Sequence, residues 1–217
     1  MNTSEQTIED IEEEFEVHRE NAGELDQFYT NPKVAKAFVD EIDRVYGFDN
    51  FDHIIEPSMG EGFIYQYLPP EKRIGLDIEK NHPDCIEGDF LKWLPAKAGI
   101  ESNPLLLQNP RIMFVGNPPF GRNSSLATDF FNHAAKFSDV ICFIIPRTWM
   151  KWSVHRQLHP EFGLYYNAIL PDDSFIYQGN PYTVKCVAQC WSKFDPNPES
   201  DIEENHDWRE TLDLSID

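Results

Sequence analysis

Four short runs, His53–Glu56, Arg73–Asp77, Ile112–Gly116 and Val140–Pro146, are largely apolar, and each is followed or ended by a polar residue, a glycine or a proline. Runs this short are strands rather than helices, and their weak polar alternation means that both faces of the sheet they form are covered. Helical patterns stand among them. Asn31-Pro32 is a start signal, and Val34, Ala35, Phe38, Val39 and Ile42 follow on one face. Leu126–Phe137 likewise gathers Leu126, Phe130, Phe131, Ala134 and Phe137 on one side. Strands alternating with helices predict an α/β fold, a parallel sheet with helices on both faces. Near the end, Tyr165–Leu170 and Thr183–Trp191 are two strand-like runs joined by a loop containing Gly, Pro and Asn. With no helix between them, they predict an antiparallel hairpin at one edge of the sheet.

The 217 residues suffice for one such domain. The net charge is −20, which is awkward for a chain that grips phosphates. The acidity sits at the ends, however. Residues 1–24 hold nine acids and one base, and residues 192–217 hold nine acids and two bases, so the segment 25–191 carries only −5. We read 1–24 as an acidic tail or frayed helix, 25–193 as the folded domain and 194–217 as a second acidic tail. Such tails suit docking on a basic protein partner, or an internal mimic of nucleic acid that limits nonspecific binding. No apolar run reaches membrane-spanning length, and the acidic, polar N-terminus lacks the features of a secretory signal or transit peptide, so an intracellular protein of cytoplasm or nucleus is expected. Cys85, Cys142, Cys186 and Cys190 form no C-x-x-C pair and read as core thiols, with no metal site expected.

Open parallel sheets bind ligands beyond the carboxyl ends of their strands, where the strand order reverses. The first strand runs into Glu56-Pro57-Ser58-Met59-Gly60-Glu61-Gly62-Phe63. Gly60 and Gly62 allow a sharp turn and a close backbone approach to a ligand. Glu61 would repel a pyrophosphate, so a nucleoside cofactor without phosphates fits better than a dinucleotide. The next strand ends at Asp77, 17 residues after Gly60, a natural distance for the acid that accepts from both hydroxyls of a ribose. Asp77 as the cap of a following helix is the alternative. A third strand end, Gly88-Asp89-Phe90, offers a carboxylate for an exocyclic amine and an aromatic face for an adenine ring.

After Ile112–Gly116 come Asn117-Pro118-Pro119-Phe120. The prolines fix the backbone, leaving the Asn117 side-chain oxygen and the Pro118 carbonyl to accept from one planar amino group. Two acceptors aimed at an aromatic amine stabilise the positive charge it develops as it attacks an electrophile. Phe120 offers a face on which a flipped base can stack. Further substrate contacts are expected from Arg122 in the loop 120–126, and from Arg147, Trp149 and Lys151 in the segment 147–159, where cations and aromatics alternate. An amphipathic helix with a solvated basic face reads that segment equally well.

Taken together, the motifs from Asp26 to Lys193 resemble the class I S-adenosylmethionine-dependent N6-adenine methyltransferases, in residues and in order. The resemblance implies a Rossmann-like sheet of seven strands, mostly parallel, with an antiparallel terminal hairpin. It implies that the segment Asp26–Pro32, with Tyr29 and Thr30, closes over the methionine end of the cofactor, although here Asn31 is inserted between the Thr and the Pro with which the family's segment normally ends. It also implies that Glu56, Pro57, Ser58, Gly60, Gly62, Phe63, Asp77, Ile78, Asp89, Phe90 and Asn117 line the S-adenosyl-L-methionine site. Asn117, Pro118, Pro119 and Phe120 would be catalytic, transferring methyl to N6 of adenine in DNA or RNA and leaving S-adenosyl-L-homocysteine, without a metal. Methylation of a glutamine amide in a protein, a non-catalytic subunit of a complex and a homodimer remain alternatives. An added DNA-recognition domain, usual in members that read a sequence, is not expected in this chain.

Overall fold

The computed structural model describes residues 29–100, 110–121, 124–177 and 180–194. Its strands are β1 (Tyr29–Thr30), β2 (His53–Glu56), β3 (Arg73–Asp77), β4 (Cys85–Glu87), β5 (Ile112–Gly116), β6 (Val140–Pro146), β7 (Gly163–Ile169), β8 (Phe175–Tyr177), β9 (Asn180–Tyr182) and β10 (Cys186–Ser192). Its α-helices are α1 (Pro32–Tyr46), α2 (Ser125–Ala134) and the single turn α3 (Trp152–His155).

Seven strands form the central sheet in the order β4-β3-β2-β5-β6-β10-β7. The first five run parallel, and β10 lies antiparallel between β6 and β7. This is the Rossmann-like methyltransferase arrangement, with the order reversing between β2 and β5. The apolar runs become the central strands because both faces are sealed. Ile54, Met113, Val115, Cys142 and Ile144 face Val34, Phe38 and Ile42 of α1, while Ile55, Phe114, Ile141 and Phe143 face Ala127, Phe130 and Phe131 of α2. Consecutive residues of one strand thus feed two separate cores, as the period of a strand demands. Burying one large side chain of this kind contributes about 1.5–3 kcal/mol.

The two longer helices sit on opposite faces as expected, but among the described residues the links β2–β3 and β4–β5 carry 3-10 turns, at Tyr65–Tyr67, Phe90–Lys92 and Pro95–Ala98, and no α-helix. Gly60, Gly62, Pro69 and Pro70 leave too short an uninterrupted stretch for an α-helix.

The loop expected between the two closing strands is more than a loop. Within it β8 and β9 pair antiparallel, and β8 also pairs antiparallel with β1, Tyr29 opposite Ile176 and Thr30 opposite Phe175. Pro181, which cannot donate to a ladder, sits on the outermost strand of this small sheet. The terminal tails lie outside the described residues. Among the described residues no helix is long and apolar enough to cross a membrane.

Candidate functional site

The strand order reverses between β2 and β5, and beyond their carboxyl ends is where an open sheet of this kind holds its ligand cleft. β2 ends in Glu56, whose side chain is 2% exposed and lies against Gly116: a Cβ on that glycine would stand 3.4 Å from the Glu56 Cγ. Its Oε2 has no hydrogen-bond partner among the described residues. Burial pushes this carboxyl well above the ordinary carboxylate range, a backbone hydrogen bond from Tyr65 partly offsets that, and Asp77 adds to the rise.

The turn after β2 depends on its first glycine. Gly60 has φ 52°, and a Cβ there would lie 2.9 Å from the Tyr29 ring, so the ring of the opening segment rests on bare backbone. Tyr29 also meets Phe63 at 5.6 Å between centroids. Asp77, at the tip of β3, holds the same turn from below. One of its carboxylate oxygens accepts from the Gly60 amide at 2.8 Å and the other from the Glu79 amide at 3.1 Å. No helix follows Asp77, so the capping alternative falls. Ile78 beside it is 63% exposed, an apolar face bared at the cleft. His82, not singled out in the sequence, packs over Gly62 and against Tyr65.

Asn117 stands at the tip of β5, half-buried, and its backbone carbonyl accepts from the Ser58 hydroxyl at 3.1 Å. The turn after β2 and the tetrapeptide after β5 are therefore tied together across the switch point. Behind the tetrapeptide, Gly121 has φ 66°, and a Cβ on it would stand 2.6 Å from the Leu126 Cβ, so the chain can fold straight back into α2 only with glycine there. A buried hydrogen bond of 2.9 Å between the Ser124 and Thr148 hydroxyls joins this loop to the segment after β6.

The structure alters several expected roles. Phe90 is 2% exposed, packed between Phe114, Phe130, Trp93 and His133, so its ring belongs to the core and presents no face to an adenine. Asp89 beside it caps the 3-10 turn through the Leu91 amide and pairs with Lys92, whose hydrogen bond holds its carboxyl below the ordinary range. Trp149 is fully buried against Phe131 and likewise belongs to the core, leaving no ring face for a base. Phe120 is 2% exposed, its ring in the cluster of α1-face residues. In this conformation it is packing, and a stacked base requires it to turn out. Thr30 is buried within the β1–β8 pair, while Asn31 caps α1 through the Lys33 amide and donates to the Asp173 carbonyl. The residue between Thr30 and Pro32 thus has its own work. Arg147 directs a guanidinium nitrogen at the Leu170 carbonyl, 3.5 Å away, and Lys151 is half-buried. Residues 147–155 form a 3-10 turn followed by the single turn α3, with Trp152 71% exposed. Arg122 lies outside the described residues.

The β8–β9 pair brings Tyr177 and Tyr182 together at 5.5 Å beside the opening segment. The aromatic, β-branched run Phe175-Ile176-Tyr177 was the signal available in the sequence. All four cysteines are buried. Among the described residues, no group of His, Cys, Asp or Glu side chains is placed to hold a metal ion.

A strand-tip turn on two glycines, an acid 17 residues on and an Asn-Pro-Pro-Phe tip across a reversal in strand order define a methyltransferase-type fold. Solved structures agree. A candidate class I S-adenosylmethionine-dependent methyltransferase from Listeria monocytogenes superposes with a TM-score of 0.59 at 11% identity, covering 95% of this chain and 75% of that one. A candidate RNA methyltransferase from Pyrococcus horikoshii gives 0.56 at 13%, over 83% and 97%. The methyltransferase subunit of a type I restriction-modification system from Streptococcus thermophilus gives 0.53 at 13%, over 88% of this chain and 50% of the subunit, so the chain spans half of that protein. No protein-family model matches the chain, and no curated protein matches it. The fold is that of S-adenosylmethionine-dependent methyltransferases.

Proposed function

We propose that the protein is a methyltransferase that uses S-adenosyl-L-methionine to methylate N6 of adenine in DNA or RNA. The observation that carries this reading is the joining of the Asn117-Pro118-Pro119-Phe120 tip to the Gly60 turn through Ser58, at the switch point of the sheet. The residues suit the cofactor. Asp77 keeps acceptor capacity for a ribose diol, Ile78 offers an apolar surface for an adenine, and the orphaned Glu56 oxygen awaits a donor. Asp89 stands at the third strand end, and Tyr29 closes the turn. Bound there, S-adenosylmethionine supplies a methyl group on a positively charged sulfur.

The chain's own residues supply placement and polarisation. The Asn117 side-chain oxygen and the Pro118 carbonyl accept from the amino group of the substrate, which draws its nitrogen toward the tetrahedral state that attacks. Holding that nitrogen in line with the methyl group provides much of the acceleration. Arg147 and Lys151, on the segment hydrogen-bonded to the tetrapeptide loop, stand on the substrate side, and an acceptor base stacks on Phe120 once its ring leaves the core.

Incubation with labelled methyl donor and a panel of DNA, RNA and protein acceptors tests the reading. Label on adenine is the expected result. Label on a glutamine amide of a protein would replace the substrate assignment, and no transfer to any acceptor would leave a non-catalytic subunit. Asn117→Ala is expected to bind the donor as the unaltered chain does and to lose most of its turnover, on the order of 100-fold or more, the range seen when one polarising hydrogen bond is removed. Undiminished turnover would refute the role of Asn117.

A further inference from the structure

The cleft is divided by charge. On the β2–β3 side, Glu56, Glu61, Asp77 and Glu79 crowd one turn. Asp77 accepts from the amides of Gly60 and Glu79, which brings Glu79 and Glu61, the residue after Gly60, to the same turn. Their fields converge on one group, for the Tyr29 hydroxyl is pushed up first by burial and then by Glu61, Asp77 and Glu79. Glu56 adds a buried carboxyl with an unpartnered oxygen beneath the same turn. That orphan is a separate sign that the place receives a polar partner, because a buried polar atom left without one is costly. On the β6 side, residues 147–156 carry Arg147, Lys151 and Arg156 and no carboxylate.

We propose that the carboxylates around the Gly60 turn make the cofactor half of the cleft select ligands by charge, with Glu61 and Glu79 favouring the cationic methyl donor over its neutral product. The inference rests on the methyltransferase reading. In the transfer, the bond from sulfur to the methyl carbon breaks, its electron pair stays on sulfur, and the substrate nitrogen bonds to the methyl carbon and then releases a proton. The donor carries a sulfonium, an ammonium and a carboxylate, a net charge of about +1; the product lacks the sulfonium and is neutral overall. A negative turn therefore holds the donor more tightly and lets the product go, which counters inhibition by product. The cationic segment 147–156 attends to the opposite charge, that of a polyanionic substrate, so the two halves do not compete for ligands.

Calorimetric titration of the full chain with S-adenosylmethionine and, separately, with S-adenosylhomocysteine tests this. Glu61 and Glu79 are exposed, so solvent screens each of them, and about two- to threefold per removed charge is expected. The double variant Glu61→Gln/Glu79→Gln should lower the preference for donor over product by about fivefold, mainly through weaker donor binding, and Glu61→Lys should lower it further. The preference of the unaltered chain should also shrink between low and high salt. A ratio of the two dissociation constants that stays fixed in these variants, with both ligands still bound, would overturn the charge selection alone. Binding of neither ligand to the unaltered chain would overturn the cofactor assignment and the inference with it.

Discussion

Glu56 carries the sharpest consequence at the residue scale. Its carboxyl is buried and raised, so the folded chain keeps its proton to a higher pH than the unfolded chain, which ionises it at the ordinary value. A folded value above the unfolded one gives stability that is fully present below the unfolded value and lost as pH rises through the folded one. Replacing Glu56 with glutamine keeps the shape and removes the titration. Without ligand, Glu56→Gln should match the unaltered chain near pH 4 and exceed it at pH 8 by about 1–3 kcal/mol, each kcal/mol worth about 2–4 °C of melting temperature. Thermal melts at the two pH values decide, and equal displacement at both would show that ionisation has no part. What the sequence disclosed at this scale is instructive. Asp77 and Asn117 were legible because a polar residue ending an apolar run has one place to be, the tip of a strand. Phe90, Phe120 and Trp149 were not, because an aromatic beside a strand end fits a ligand face or a core equally well, and only packing from α1 or α2 decides between them.

Among the elements, α1 shows how one residue serves two neighbours. Asn31 caps the helix through the Lys33 amide at 3.0 Å and reaches the Asp173 carbonyl at 3.2 Å, while its own amide donates to the Ser174 carbonyl at 2.8 Å. The side chain thus fixes both the start of α1 and the turn that leads into β8. Asn31→Ala should cost about 1 kcal/mol or somewhat more, the usual loss of a cap plus one further bond, measured by denaturant unfolding. No change would show that the backbone bonds hold the junction alone. The strand runs of the main sheet were readable from apolar length. The small sheet was not: β1, β8 and β9 have two or three residues each, too few to display a period, and Pro181 argues against a strand unless it is an outer one. The 3-10 turns of the cross-links were likewise hidden, since glycine and proline mark breaks without saying what fills them.

Over the whole molecule, charge separates by region. The ends hold most of the −20, the turn around Gly60 and Asp77 is acidic, and the segment after β6 is basic. If the N-terminal acids act as an internal mimic of nucleic acid, deleting residues 1–24 should strengthen nonspecific binding to single-stranded DNA or RNA several-fold at low salt, and the gain should vanish at high salt. Equal or weaker binding by the truncated chain, in a fluorescence titration, disposes of that role and leaves docking on a basic partner.

The pairing of β1 with β8 also sets an order of events during synthesis. Tyr29 and Thr30 are made early, yet their partners Ile176 and Phe175 emerge from the ribosome some 145 residues later. β10, which fills the gap between β6 and β7, comes later still. A nascent chain halted before these segments contains the residues of the Gly60 turn and the Asn117 tip but neither the strand that pairs with Tyr29 nor the one that joins β6 to β7. The surroundings of the Gly60 turn are therefore completed only when the last quarter of the polypeptide has been made.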